Sequence, residues 1–197
     1  MILQFASGKK FTISAKPLTA ADLEYQGDSI TKTYDGDTSV TLPANGKIVV
    51  KQASLVGEDV SPAITIKTKT YNSSDVTSAT KVTFTTEALT GNYSLAADTA
   101  LENLATITAK DIAGAVITLA ETSKAYTGAA QSTTITGVAL DTKPLALGAD
   151  YQIDSTPSIT DVGQADYRIS GIGNYSGLAT TQFTITKATT TISITNG

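Results

Sequence analysis

"VTFTTEALTGNYSL", residues 82–95, sets two signals side by side. Val82 and Phe84 alternate with Thr83 and Thr85, the period of a strand that turns one face to a core and the other to water. Gly91-Asn92 then ends the run, with a glycine free to take positive φ and an asparagine suited to capping a turn. The pattern recurs in "YRISGIGNYSG", residues 167–177: Tyr167 and Ile169 alternate with polar residues, and Gly173-Asn174-Tyr175-Ser176 repeats the turn.

The repetition extends outward. "KFTISAKPLTAADL" (10–23), "LATITAKDIAGAVI" (104–117) and "QFTITKATTTISI" (182–194) each alternate, pass a lysine (Lys16, Lys110, Lys187) and begin a fresh alternation. After the first two comes a tyrosine turn, "KTYDG" at 32–36 and "KAYTG" at 124–128. One order therefore occurs twice: opening strand, tyrosine turn, middle strands, GNYS turn, closing strand. It divides the chain into 1–108 and 109–197. Residues 1–15 resemble the closing strand of a preceding unit and 188–197 the start of a following one, so both ends are expected to be cut from a longer array.

Further alternations at Phe11/Ile13, Ile64/Ile66, Ile117/Leu119, Tyr151/Ile153, Phe183/Ile185 and Ile192/Ile194 are separated by turn residues such as Asn45-Gly46 and Leu147-Gly148. The expected fold is all-β: two tandem antiparallel sandwiches. "AADTALENLA", 96–105, is the one helix candidate, a turn or two with Leu101 and Leu104 on one side.

Composition agrees. A chain of 197 residues fits two domains of about 100 residues each. Apolar content of 41% against 16% charged is that of a folded protein. A net charge of −4, with no basic run and no aromatic ladder, argues against nucleic acid and anionic lipid as partners. The chain has no Cys, so no disulfide is available. No apolar run approaches the roughly 20 residues of a membrane span. "MILQFASGKKFTISAK" lacks the shape of a signal peptide, so a secreted chain would be an excised piece.

On "KTYDGDTSVTL", "LVGEDVSPAI", "VTFTTEALTGNYSL" and "ATITAK", the first unit resembles the YDG-type repeats of bacterial surface proteins. On "KAYTGAAQ", "LALGADYQI", "ITDVGQADYRISGIGNYSG" and "FTITKA", the second is similar to the Ig-like repeats of MBG type. The resemblance implies immunoglobulin-like sandwiches strung in tandem as non-catalytic stalk modules of a secreted or cell-surface adhesin. It implies no enzymatic activity, no cofactor and no agreed ligand residues. The expected molecule is an elongated extracellular monomer. Its partners would be neighbouring repeats of the same chain, with binding of glycan or host protein through end loops or a sheet edge as the alternative. Two departures stand out: Thr127 where the first unit has Asp35, and an Ala-rich insertion after Leu95.

Candidate sites are few. Asp35 and Asp37 could supply oxygens to a cation, with Asp28 near, but calcium takes about six to eight oxygens and the echo at 125–128 has no acid. A turn is the preferred reading. Without His or Cys, the commonest general base, nucleophile and zinc ligands are missing, and only a carboxylate pair could do chemistry; catalysis is not expected. Lys32 and Lys124 stand early in their units and Asn92 and Asn174 late, an order that would suit a lysine–asparagine isopeptide bond. Solvated lysines and turn-capping asparagines are preferred. Asn72, Asn92 and Asn174 fit the N-glycosylation pattern, to which no meaning is attached in a bacterial protein. Tyr25, Tyr71 and Tyr151, less clearly paired between units, are the ligand candidates.

Overall fold

The structure is a computed structural model in which residues 12–190 are described. Phe11, Ile192, Ile194 and the outermost parts of the two terminal segments assigned to neighbouring units lie outside the described residues.

The described chain is all-β with almost no helix, and its sheets curl into half-barrels. In order, the strands are β1 (Lys16–Pro17), β2 (Leu23–Gln26), β3 (Ile30–Thr33), β4 (Lys47–Val50), β5 (Ile66–Tyr71), β6 (Lys81–Thr86), β7 (Tyr93–Ser94) and β8 (Ala100–Thr108). There follow β9 (Lys110–Asp111), β10 (Val116–Leu119), β11 (Ser123–Ala125), β12 (Ile135–Leu140), β13 (Lys143–Pro144), β14 (Tyr151–Ser155), β15 (Gly163–Gly171), β16 (Tyr175–Ser176) and β17 (Leu178–Thr186). Two 3-10 turns, Ala20–Asp22 and Gln52–Ser54, complete the elements.

Contacts group the chain into two compact units. Among the described residues, the first holds 12–32, Thr38–Ser73 and Ala79–Thr106; the second holds Thr33–Asp37, Ser74–Ser78 and 107–190. A four-stranded sheet in the order β3-β8-β6-β5 has its counterpart in β11-β17-β15-β14. β2-β4 corresponds to β10-β12-β13, and the short parallel pair β1-β7 to β9-β16.

The cores follow from the alternation. Val82 and Phe84 of β6 are fully buried while Thr83 and Thr85 are only partly so. In the second unit Tyr167 and Ile169 of β15 and Phe183 and Ile185 of β17 play the same part. Each such side chain contributes about 1.5–3 kcal/mol by leaving water.

The helix expected at 96–105 does not form. Residues 100–108 are strand β8, paired antiparallel to β6 from Lys81↔Leu104 to Thr85↔Ala100. Inward positions fall at Leu101, Asn103, Ala105 and Ile107, and Leu104 is 82% exposed. The ladder with β6 overrides a helical propensity worth only tenths of a kcal/mol per residue, about 0.7 at most.

Candidate functional site

The two tyrosine turns have one geometry. In the first, Asp37 N–H donates to Asp35 Oδ1 at 3.1 Å across Gly36, whose φ is +88°. In the second, Ala129 N–H donates to Thr127 Oγ1 at 3.4 Å across Gly128, φ +80°. Threonine thus performs the capping bond of the acid it replaces, which accounts for the loss of Asp35 between units. Tyr34 N–H bonds to Thr108 O and Tyr126 N–H to Thr186 O, both at 2.8 Å. Asp35 and Asp37 are turn residues, and among the described residues no three His, Cys, Asp or Glu side chains are grouped as an ion would need.

The GNYS turns also match. Lys16 and Leu18 donate to Asn92 O and Ser94 O, each at 2.8 Å; Lys110 and Ile112 donate to Asn174 O and Ser176 O at 3.0 and 2.9 Å. Their surroundings differ. Within the second unit, the Tyr34 ring stands edge-on to Tyr175, centroids 5.4 Å apart at 77°. Lys143 Nζ lies 5.5 Å from the Tyr34 centroid and 5.6 Å from that of Tyr175, and donates to the Tyr175 hydroxyl at 3.0 Å. That hydrogen bond, opposed by desolvation, raises the Lys143 pKa. Asn174 accepts Val76 N–H at 2.8 Å through Oδ1 and donates to Asp75 Oδ1 at 2.9 Å through Nδ2.

In the first unit, Tyr93 is 6% exposed. Its hydroxyl accepts Val56 N–H at 2.7 Å and donates to Asp59 Oδ2 at 2.8 Å. Desolvation is the main reason its pKa is raised. The Asn92 side chain has no hydrogen-bond partner among the described residues. Asn92 and Tyr93 border a cavity of about 310 Å3 with Asp59, Val60, Pro62 and Leu89. A second cavity of about 360 Å3, which shares Asp59, Asn92 and Tyr93, reaches Val56, Lys16 and Ile13.

The three tyrosines singled out from the sequence are set into packing. Tyr25 stacks on Phe84 at 5.8 Å and 8°, and its hydroxyl donates to Asp28 O at 3.0 Å. Burial, with a smaller contribution from Asp28, raises its pKa. Tyr71 is 3% exposed, donates to Thr106 O at 3.2 Å and has Lys32 Nζ 5.5 Å from its ring centroid. Tyr151 is 5% exposed, in the second core. Tyr93, clearly paired in sequence with Tyr175, does border a cavity. Lys124 Nζ engages Ser132 O and Glu121, both at 2.9 Å, partners different from those of Asn174.

Residues 14–100 match the YDG domain family. No curated protein and no solved structure matches the chain. The YDG match corrects several expectations. It names a YDG domain and neither MBG-type nor Ig-like adhesin repeats. The stalk function is therefore withdrawn, and with it the adhesin, secreted and surface descriptions. Neighbouring repeats of the same chain and glycan or host-protein partners are withdrawn as well. The exclusion of nucleic acid, which rested on net charge and on the lack of a basic run and an aromatic ladder, no longer stands beside a YDG match.

Proposed function

We propose that the chain is a non-catalytic docking module, in which a GNYS turn forms a seat for a tyrosine-bearing turn. One observation carries this reading: Tyr34 stands edge-on to Tyr175 beneath Lys143 while Asn174 holds a second turn through its amide. The backbone bonds accepted by Asn92 and Ser94 repeat those accepted by Asn174 and Ser176, and Asn92 and Tyr93 border an open cavity. The fold proposed with it is an immunoglobulin-like sandwich in each unit. The test is a titration of 15N-labelled chain with a peptide of residues 30–40. Shifts centred on Asn92, Tyr93 and Asp59 are expected, and a spectrum unchanged at saturating peptide refutes the reading.

The YDG match favours a second reading, recognition of modified DNA. At a net charge of −4, phosphate contacts would add little, so binding would rest on base contacts and depend only shallowly on salt. Fluorescence anisotropy at low salt, comparing duplexes with and without methylated cytosine, tests it. A preference of about tenfold or more for the methylated duplex supports this reading, and no signal with either removes it.

A further inference from the structure

From two halves of one joint that stand unmated among the described residues, we infer that the seat at Tyr93 receives the Tyr126 turn of a second copy, so that chains associate head to tail. The inference rests on the docking reading above and names its partner.

The donor half is the turn at 125–129. It has the backbone of the Tyr34 turn: a positive-φ glycine two residues after the tyrosine, and the same bond from the tyrosine amide to the closing strand. In both turns the tyrosine hydroxyl stands 3.9 Å from where a Cβ on the glycine would lie, so each hydroxyl lies over the glycine of its own turn. Their surroundings do not match. Tyr34 packs against the second core beside Tyr175, whereas Tyr126 is 41% exposed. An exposed ring already held in its docked conformation loses little rotamer freedom on binding.

The acceptor half is the cavity beside Tyr93. The parallel pairing of β1 with β7 repeats that of β9 with β16, which places Tyr93 where Tyr175 stands in its own unit. Asn92 then presents the same amide as Asn174, with its side chain unpartnered among the described residues. The rim residue Val60 is 84% exposed, apolar surface that an incoming ring would cover. The turn brought to it, Ala125-Tyr126-Thr127-Gly128-Ala129, is uncharged, so no second anion meets Asp59.

Donor and acceptor are different surfaces of one chain, so the contact is heterologous. A heterologous contact that does not close into a ring propagates and gives open chains. Sedimentation equilibrium of the full chain, up to about 1 mM for so small a contact, should show an average mass rising above the 20.3 kDa monomer without a plateau at two copies. Tyr126→Ala and Val60→Arg, both at exposed positions, should each lower the association constant by about tenfold or more with an unchanged unfolding midpoint. Mixed together, the two variants retain one working donor and one working seat, and should form species of two chains and no larger. A monomer mass at every concentration, or association by Tyr126→Ala equal to the parent's, overturns the inference. If the 30–40 peptide still shifts Asn92 while the chain stays monomeric, self-association fails and the docking reading survives. If neither is seen, both fail.

Discussion

Replacing Tyr167 with Phe tests whether a single buried hydroxyl ties the second unit together. The Tyr167 side chain is fully buried and packs edge-on to Phe183, centroids 6.2 Å apart. Its hydroxyl accepts Thr133 N–H at 2.9 Å and has two acceptors in reach, Pro157 O at 3.1 Å and Thr133 O at 3.2 Å. A phenol has one proton, so it serves one of them at a time. Tyr167→Phe keeps the ring but strands the buried Thr133 amide, at about 1–3 kcal/mol, and loses one donated bond, about 0.5–1.5 kcal/mol. The sum is roughly 1.5–4.5 kcal/mol, or about 6–36 °C in Tm for a unit of this size. Tyr151→Phe is the control: its ring lies in the same core, its hydroxyl has no hydrogen-bond partner among the described residues, and the expected change is below about 0.5 kcal/mol. Urea unfolding of the full chain, followed through the amide resonances of Ile169 and Ala179, reads the second unit. Equal midpoints for the two variants would refute the argument.

Three further predictions address other elements. Thr86 is fully buried, and among the described residues its Oγ1 has no partner, so Thr86→Val, which keeps the β-branch, should stabilise the first unit by about 1 kcal/mol, read as a raised urea midpoint. Asp22 has its pKa lowered from 3.8 to about 2, first by the Ser54 hydroxyl and then by the Thr19 amide and hydroxyl. Folding therefore favours its ionised form. That contribution is complete above about pH 4 and is lost as pH falls toward 2, and Asp22→Asn should flatten the acid limb of the first unit's stability profile. Intact mass should equal the sequence mass, with no ammonia lost, because Lys124 and Asn174 are held by different partners.

Strands with one face in and one face out were plain in the sequence, since Val82/Phe84, Tyr167/Ile169 and Phe183/Ile185 carry the period of their burial. The alternation failed where a strand runs along an edge. Tyr151 is buried but Ile153 is 39% exposed, just before the register shift between Ile153 and Ser155. At 96–105, Ala, Leu and Glu speak for helix, and only the partner strand β6, distant in sequence, decides otherwise. The candidate tyrosines Tyr25, Tyr71 and Tyr151 lack a clear twin in sequence, yet twinning does not report exposure. Tyr34 and Tyr126 are twins in backbone and opposites in environment, whereas Tyr93 and Tyr175 are both buried and differ in the partners of their hydroxyls. What separates them is which segments pack nearby, and local sequence does not encode that.

Placing β3 beside β8, and β11 beside β17, has a kinetic consequence. Ser123 pairs with Thr184, so the sheet of the second unit is completed only when nearly its whole length has been synthesised. Closing so long a loop is entropically costly before any contact repays it, and topologies of this kind fold in roughly milliseconds to seconds. With no cysteine to staple the ends early, β15 waits with one edge open until the final strand emerges from the ribosome. During that interval a nascent chain is most exposed to pairing with the wrong neighbour.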